Sequence, residues 1–211
     1  LDYGKQPGTW TPNMYGGNEN LDAIEFLKTM NKYIAKRGDG CFTIAEESSG
    51  WFGVTAADND DPLMFTYKQN NCWTKDFLEF MGTDPLFRKG EYDKLTYGML
   101  YNYGEDFMLS LNHDDFREKA FVDMVSGSDE KAHLSDIKAA LGFMYAHPGS
   151  KMFAAGQDAG LEKFMSELNK FYAKNAALYE LDNDPDGFMW LENSNPEETV
   201  IAMQRADSKG N

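Results

Sequence analysis

Residues 42–51 read FTIAEESSGW. Phe42, Thr43 and Ile44 read as the apolar, β-branched run of a short strand. The run opens directly into two adjacent carboxylates, Glu46 and Glu47, and then into small polar residues. Acids at that position sit at the carboxyl end of a strand, the edge where parallel α/β folds bind ligands and carry out chemistry. Side chains alternate across a strand, so Glu46 and Glu47 point to opposite faces and cannot serve one pocket together.

Outward from this strand, the chain alternates. The opening residues 2–20 are dense in Gly, Pro and Asn and read as a long loop ending at a helix cap, Asn18 or Asn20. Leu21, Ile24, Leu27, Met30 and Ile34 then repeat at helical spacing, and Lys36, Arg37 and Gly38 close that helix. The spacing predicts a strand over 41–46, a Gly/Asp-rich loop over 50–61 and a second strand at LMFTY, residues 63–67. Trp73, Phe77, Phe80 and Met81 mark a helix, and residues 93–101 a further short helical stretch. DFMLSLN, residues 106–112, alternates as a third strand, and a helix follows over about 129–146 with Ala132, Ile137, Leu141 and Met144 inward. KMFAAG, residues 151–156, is a fourth strand, and Leu161, Phe164, Leu168 and Phe171 give a last amphipathic helix.

Strands alternating with helices imply a parallel sheet with crossover helices. A closed (β/α)8 barrel needs eight strands and about 250 residues. Four strands ending near residues 46, 67, 112 and 155 therefore read as half a barrel or a small open α/β sheet. Past residue 178 the period changes: GFMWLE (187–192) and TVIAMQR (199–205) are strands joined by the turn-like NSNPEE. The expected organisation is a partial barrel over 1–178 and the start of a β domain over 179–211.

At 211 residues and 42% hydrophobic composition the chain can bury a real core. Its 35 acidic and 20 basic residues give a formal charge of −15, which argues against nucleic acid or an anionic membrane as partner. Neutral and cationic ligands remain. Cys41 and Cys72 lack metal or disulfide spacing, so a reduced, cytoplasmic setting is expected. No stretch is apolar enough to span a bilayer and no signal-peptide pattern occurs. A first residue of Leu within a turn-rich segment suggests a piece of something longer.

The polar residues of interest share the carboxyl ends of strands: Glu46 and Glu47, then Lys68 to Asn71, then Asn112-His113-Asp114, then Gln157-Asp158. A lone loop carboxylate usually faces water, and His113-Asp114 also reads as a structural pair in which the acid orients the ring. Paired carboxylates at one edge suit the general acid and stabilising base of glycoside chemistry. DNDPDG, 182–187, imitates the first half of an EF-hand loop, but Pro185 lies inside it and Asn193 stands at the twelfth position, so a turn is expected. Residues 57–62 read as a solvated acidic loop.

The stretches at 1–27, TIAEESSGW, DPLFRKG, MYAHPGSKMF and ALYELDNDPDGFMWLE together resemble the bacterial glycogen (1,4-α-glucan) branching enzymes of the α-amylase superfamily. The resemblance runs over most of the chain and includes loops. It implies the carboxyl half of a TIM-type (β/α)8 barrel, about four β/α units, followed by a β-hairpin that begins an all-β domain. It also implies transfer of an α-1,4-glucan segment to a 6-hydroxyl through a covalent glycosyl-enzyme intermediate, on an α-glucan substrate and without cofactor or metal. By resemblance Glu46 is the general acid/base, Asp114 the carboxylate that stabilises the transition state, and His113 a sugar-hydroxyl contact. The family's nucleophilic Asp aligns before Leu1. After Asp114 the family continues Glu-Val-Val-His-Gly-Lys where this chain has DFREKA, the Trp-rich loop after Gln157-Asp158 is missing, and YKQNNCW lacks the first Trp usual there. A glucan hydrolase and a non-catalytic glucan-binding remnant stand as alternatives.

Overall fold

The computed structural model describes residues 5–6, 8–48, 50–55, 60–154, 156 and 160–211. The polypeptide forms two compact units: the first runs to Gln69 and takes in Gly104–Asp106, and the second comprises Asn70–Tyr103 and Phe107–Asn211. Each holds one pair of parallel strands, and the second adds an antiparallel hairpin. The chain is thus α/β.

In the first unit, α1 (Leu21–Arg37) starts where Asn20 accepts a hydrogen bond from the Ala23 N–H and ends at Gly38, whose φ of 63° is the left-handed cap glycine adopts without a Cβ penalty. The predicted inward stripe was Leu21, Ile24, Leu27, Met30 and Ile34. Of these Ile24 is buried and the other four are half-buried, while Lys28 and Asn31 are buried beside it. Polar partners explain those two: Lys28 Nζ meets Asp61 at 2.5 Å, and Asn31 donates its amide to the Leu63 carbonyl at 2.7 Å.

The strand expected over 41–46 is reduced to β1 (Ile44–Ala45), paired in parallel with β2 (Tyr67–Gln69) in the register Ile44↔Tyr67 and Ala45↔Lys68. The second strand was expected at 63–67 and lies further along. Met64 has φ 64°, outside the extended region, which breaks the run. Leu63 and Phe65 instead donate to Gly53 and Val54, and Thr55 makes an isolated parallel bridge with Phe65.

In the second unit, α2 (Asn71–Gly82) is capped by Asn70, which accepts from the Trp73 N–H, and buries Trp73, Thr74, Phe77, Phe80 and Met81. The 93–101 stretch becomes α3 (Asp93–Thr96) and a 3-10 turn over Tyr97–Leu100. β3 (Phe107–Leu111) is buried at all five positions, as a strand covered on both faces must be. It pairs in parallel with β4 (Ser150–Phe153), from Met108↔Ser150 to Leu111↔Phe153. Between them lie α4 (Phe121–Met124) and α5 (Glu130–Ala146), the latter capped by Asp129; α6 (Glu162–Lys174) follows β4. Gly149, just before β4, has φ 112°, and a Cβ there would sit 3.2 Å from the Phe107 carbonyl oxygen.

One apolar cluster fills this unit, with Phe77, Leu109, Leu111, Phe121, Ala140, Leu141 and Met144 fully buried. Trp73 stacks on Phe77 at 4.6 Å between ring centroids, and Phe121 meets Phe153 edge-on at 5.4 Å. β5 (Phe188–Asn195) and β6 (Val200–Arg205) form the hairpin. Arg205 fastens it: the guanidinium donates to Asp182 at 2.6 Å, to the Ala146 carbonyl at 2.9 Å and to the Gly187 carbonyl at 3.0 Å. This also disposes of the EF-hand imitation, since Asp182 is buried against Arg205 and Asp184 caps the 3-10 turn Pro185–Gly187.

Candidate functional site

Glu46 leaves β1 directly after the buried Ala45 and is exposed, while its neighbour Glu47 is half-buried. The register pairs Ala45 with Lys68, and Glu46 follows outside the strand. The two adjacent acids therefore differ in exposure. Lys68 is 8% exposed, and its Nζ donates to the Trp51 carbonyl at 3.1 Å.

His113 and Asp114 belong to the second unit, in the turn that leaves β3. Asn112 and Asp115 build the turn: the Asn112 N–H donates to Asp115 at 2.7 Å, and the Asp114 N–H donates to the Asn112 side chain at 2.7 Å. Asp114 and His113 are both exposed. The Asp114 carboxylate accepts from Arg117, at 2.7 Å from Nη2 and 3.1 Å from Nε, rather than from the His113 ring. The reading of His113-Asp114 as an acid orienting a ring therefore does not hold. Both members of the Asp114–Arg117 pair are largely exposed, so it is worth at most about 1 kcal/mol.

The other edge residues divide. Asn70 is a helix cap and Lys68 a buried tether, so both are structural in place. Gln157 and Asp158 lie outside the described residues. Of the acidic loop over 57–62, Asp61 pairs with Lys28 rather than standing in water alone. A cavity of about 710 Å³, lined by Lys119, Asp123, Ser126, Asp129, Glu130 and His133, follows Asp114 in the chain and holds none of the candidates. A groove of about 590 Å³ joins Tyr97, Tyr103, Phe188 and Trp190 to Asp93 and Asn193. Among the described residues, no three His, Cys, Asp or Glu side chains gather as a metal would need, and no helix is long and apolar enough to cross a membrane.

Sequence reasoning missed Glu105. Its carboxylate is 4% exposed and accepts from the Val54 N–H at 3.0 Å, the Thr55 N–H at 2.8 Å and the Thr55 hydroxyl at 2.5 Å. An acid beside Gly104 reads as solvated, and no local pattern announces partners 50 residues away.

No family model matches the chain. It is similar to curated proteins, however. It is 36% identical over 97% of its length to "1,4-alpha-glucan branching enzyme GlgB 2" of Clostridium perfringens strain 13, and 37% identical over 97% to "1,4-alpha-glucan branching enzyme GlgB 1" of the same strain. The GlgB of strain ATCC 13124 matches at 36% over the same share. The chain spans about a third of the length of these relatives, 34–35%. The matched stretch covers 231 positions against 211 residues here, so at least 20 positions (231 − 211) have no counterpart in this chain. Over nearly all of its length, this chain is similar to one part of these 1,4-α-glucan branching enzymes.

Proposed function

We propose that this chain is the carboxyl half of the catalytic barrel of a 1,4-α-glucan branching enzyme of glycogen biosynthesis, with the hairpin beginning a β domain over 179–211. The observation that carries the reading is the 36–37% identity over 97% of the chain to proteins named for that activity. Parallel strand pairs that end at Ala45 and Leu111, each followed by a candidate carboxylate, support it. So does the acidic balance, which suits a neutral polyol, and the aromatic groove, whose flat rings suit the apolar faces of sugars. Two free cysteines agree with a cytoplasmic setting.

In this reading Glu46 gives its proton to the glycosidic oxygen as an upstream Asp attacks the anomeric carbon, forming the glycosyl-enzyme. Asp114 stabilises the positive charge that develops on the sugar, releasing Arg117 to do so, and His113 holds a sugar hydroxyl. Glu46, now a carboxylate, takes the proton of the incoming 6-hydroxyl, and the α-1,6 branch forms with retention. Hydrolysis differs only in the attacking group, water in place of the hydroxyl.

Retaining chemistry needs a nucleophile opposite the acid/base, and none of these 211 residues matches it. Purified chain incubated with amylose should therefore leave iodine staining and the count of α-1,6 linkages unchanged. Joined to the upstream barrel segment of a Clostridium perfringens relative, it should form new branches. New reducing ends without branches would favour the hydrolase, and no change in either would favour the glucan-binding remnant.

A further inference from the structure

We propose that Glu105 is a positioning residue for Glu46, acting through the loop that connects β1 to Thr55, with Lys68 as a second anchor. This rests on the assignment of Glu46 as acid/base. A proton donor works only when held within a fraction of an ångström of the bond it serves, and a free loop does not provide that. Residues 46–54 leave a strand of only two residues, so β1 alone fixes little beyond Ala45.

Among the described residues the loop is also fastened at Trp51 and at Val54–Thr55, within the first unit. Midway, the Trp51 carbonyl accepts from Lys68 Nζ, and Lys68 is the register partner of Ala45. At the far end, Glu105 accepts from both main-chain N–H groups of Val54 and Thr55 and from the Thr55 hydroxyl. The Thr55 hydroxyl oxygen in turn accepts from the Asp106 N–H at 2.9 Å, and the Asp106 carbonyl accepts from the Lys68 N–H at 3.0 Å. The Glu105-Asp106 turn thus anchors both fasteners, the loop end directly and Lys68 through its backbone. Val54 and Thr55 are almost wholly buried, at 1% and 0% exposure.

A buried carboxylate is costly unless every oxygen finds donors, and here both do. The arrangement is also specific to a carboxylate. A glutamine keeps one acceptor oxygen and turns an NH2 toward a main-chain N–H, so it cannot receive Val54 and Thr55 together.

The test is amide exchange and 13C NMR on the 211-residue chain, comparing the parent with Glu105→Gln, Thr55→Val and Thr55→Ser. Glu105→Gln should lower protection at Val54 and Thr55 about tenfold or more. It should also shift and broaden the side-chain carboxyl resonance of Glu46, with β3 and β4 amides unchanged. Thr55→Val should do the same more weakly, and Thr55→Ser, which keeps the hydroxyl, should restore the parent signals. An unchanged Glu46 resonance in a loosened loop overturns the proposal. So does an equal loss of protection in β3 and β4, which would make Glu105 a general stabiliser. Neither readout requires turnover, so failure here and failure of the branching assay are separate results.

Discussion

The two units both bury polar groups, and they differ in how much apolar core surrounds them. The buried set of the first unit includes Lys28, Asn31, Thr55, Lys68 and Glu105 beside Ile24, Ala45, Val54 and Leu63. Each of those side chains makes at least one hydrogen bond to a named partner, although the Asn31 Oδ1 is left without one. The second unit also buries Asn70, Thr74, Asn102 and the Arg205–Asp182 pair, but sets them around a continuous aromatic and aliphatic cluster of Phe77, Leu109, Phe121 and Leu141. Burial is non-directional and summed over many contacts, whereas a hydrogen-bonded clamp is directional and local. Damage to the second unit should therefore be global, and damage to the first confined to the loop it touches.

The largest effect is expected at Phe77, fully buried and stacked on Trp73. Phe77→Ala removes a ring from a close-packed interior and should cost about 3–5 kcal/mol, read as a lower urea midpoint and reduced protection throughout β3 and β4. Loss restricted to α2 would show that the cluster is not one cooperative body.

His147 should give the next effect, through pH. Its ring is wholly buried among Trp73 and Phe143, its Nδ1 is bonded to the Pro148 carbonyl, and burial pushes it down to about 3. The unfolded chain takes up that proton near pH 6.5 while the fold excludes it until about pH 3. Stability from this group is complete above 6.5 and falls as pH drops through that window. The loss between pH 6.5 and 4 should reach roughly 3 kcal/mol. His147→Asn cannot take the proton and should flatten the slope of urea stability against pH over that range, whatever it costs at neutral pH. An unaltered slope would mean that the ring is protonated inside the fold.

Smallest is Asn31, whose amide supports the Leu63 carbonyl. Asn31→Ala should cost about 1 kcal/mol and loosen only residues near 63–65, seen as faster amide exchange at Phe65. Global destabilisation would erase the distinction between the two units.

The same contrast explains what could be read in advance. Helices of the second unit follow from spacing and caps alone: Trp73, Phe77, Phe80 and Met81 are buried as expected, and Asp129 caps a helix ending at Ala146. The alternation of residues 106–112 gives β3 to within a residue at each end. The first unit resists such reading because its order depends on distant polar pairs. Nothing local says that Lys28 belongs inside, that Met64 interrupts a strand, or that Glu105 reaches Thr55. Of the candidate site, strand ends and residue types offer a wider set that includes Glu47, Lys68 and Gln157; the resemblance narrows it to Glu46, His113 and Asp114, and neither points to the Arg117 that holds Asp114. An exposed partner three residues on, in a turn, leaves no periodic signature.

The most direct measurement of the central assignment uses the chain joined to the upstream segment of a Clostridium perfringens relative, assayed for new α-1,6 linkages on amylose with Glu46→Gln and Glu47→Gln in parallel. Glu46→Gln should abolish branching, since an amide cannot give or take the proton, while Glu47→Gln should retain most of the turnover. Loss of branching in Glu47→Gln with activity kept in Glu46→Gln would contradict the account and move the acid/base one residue along the chain.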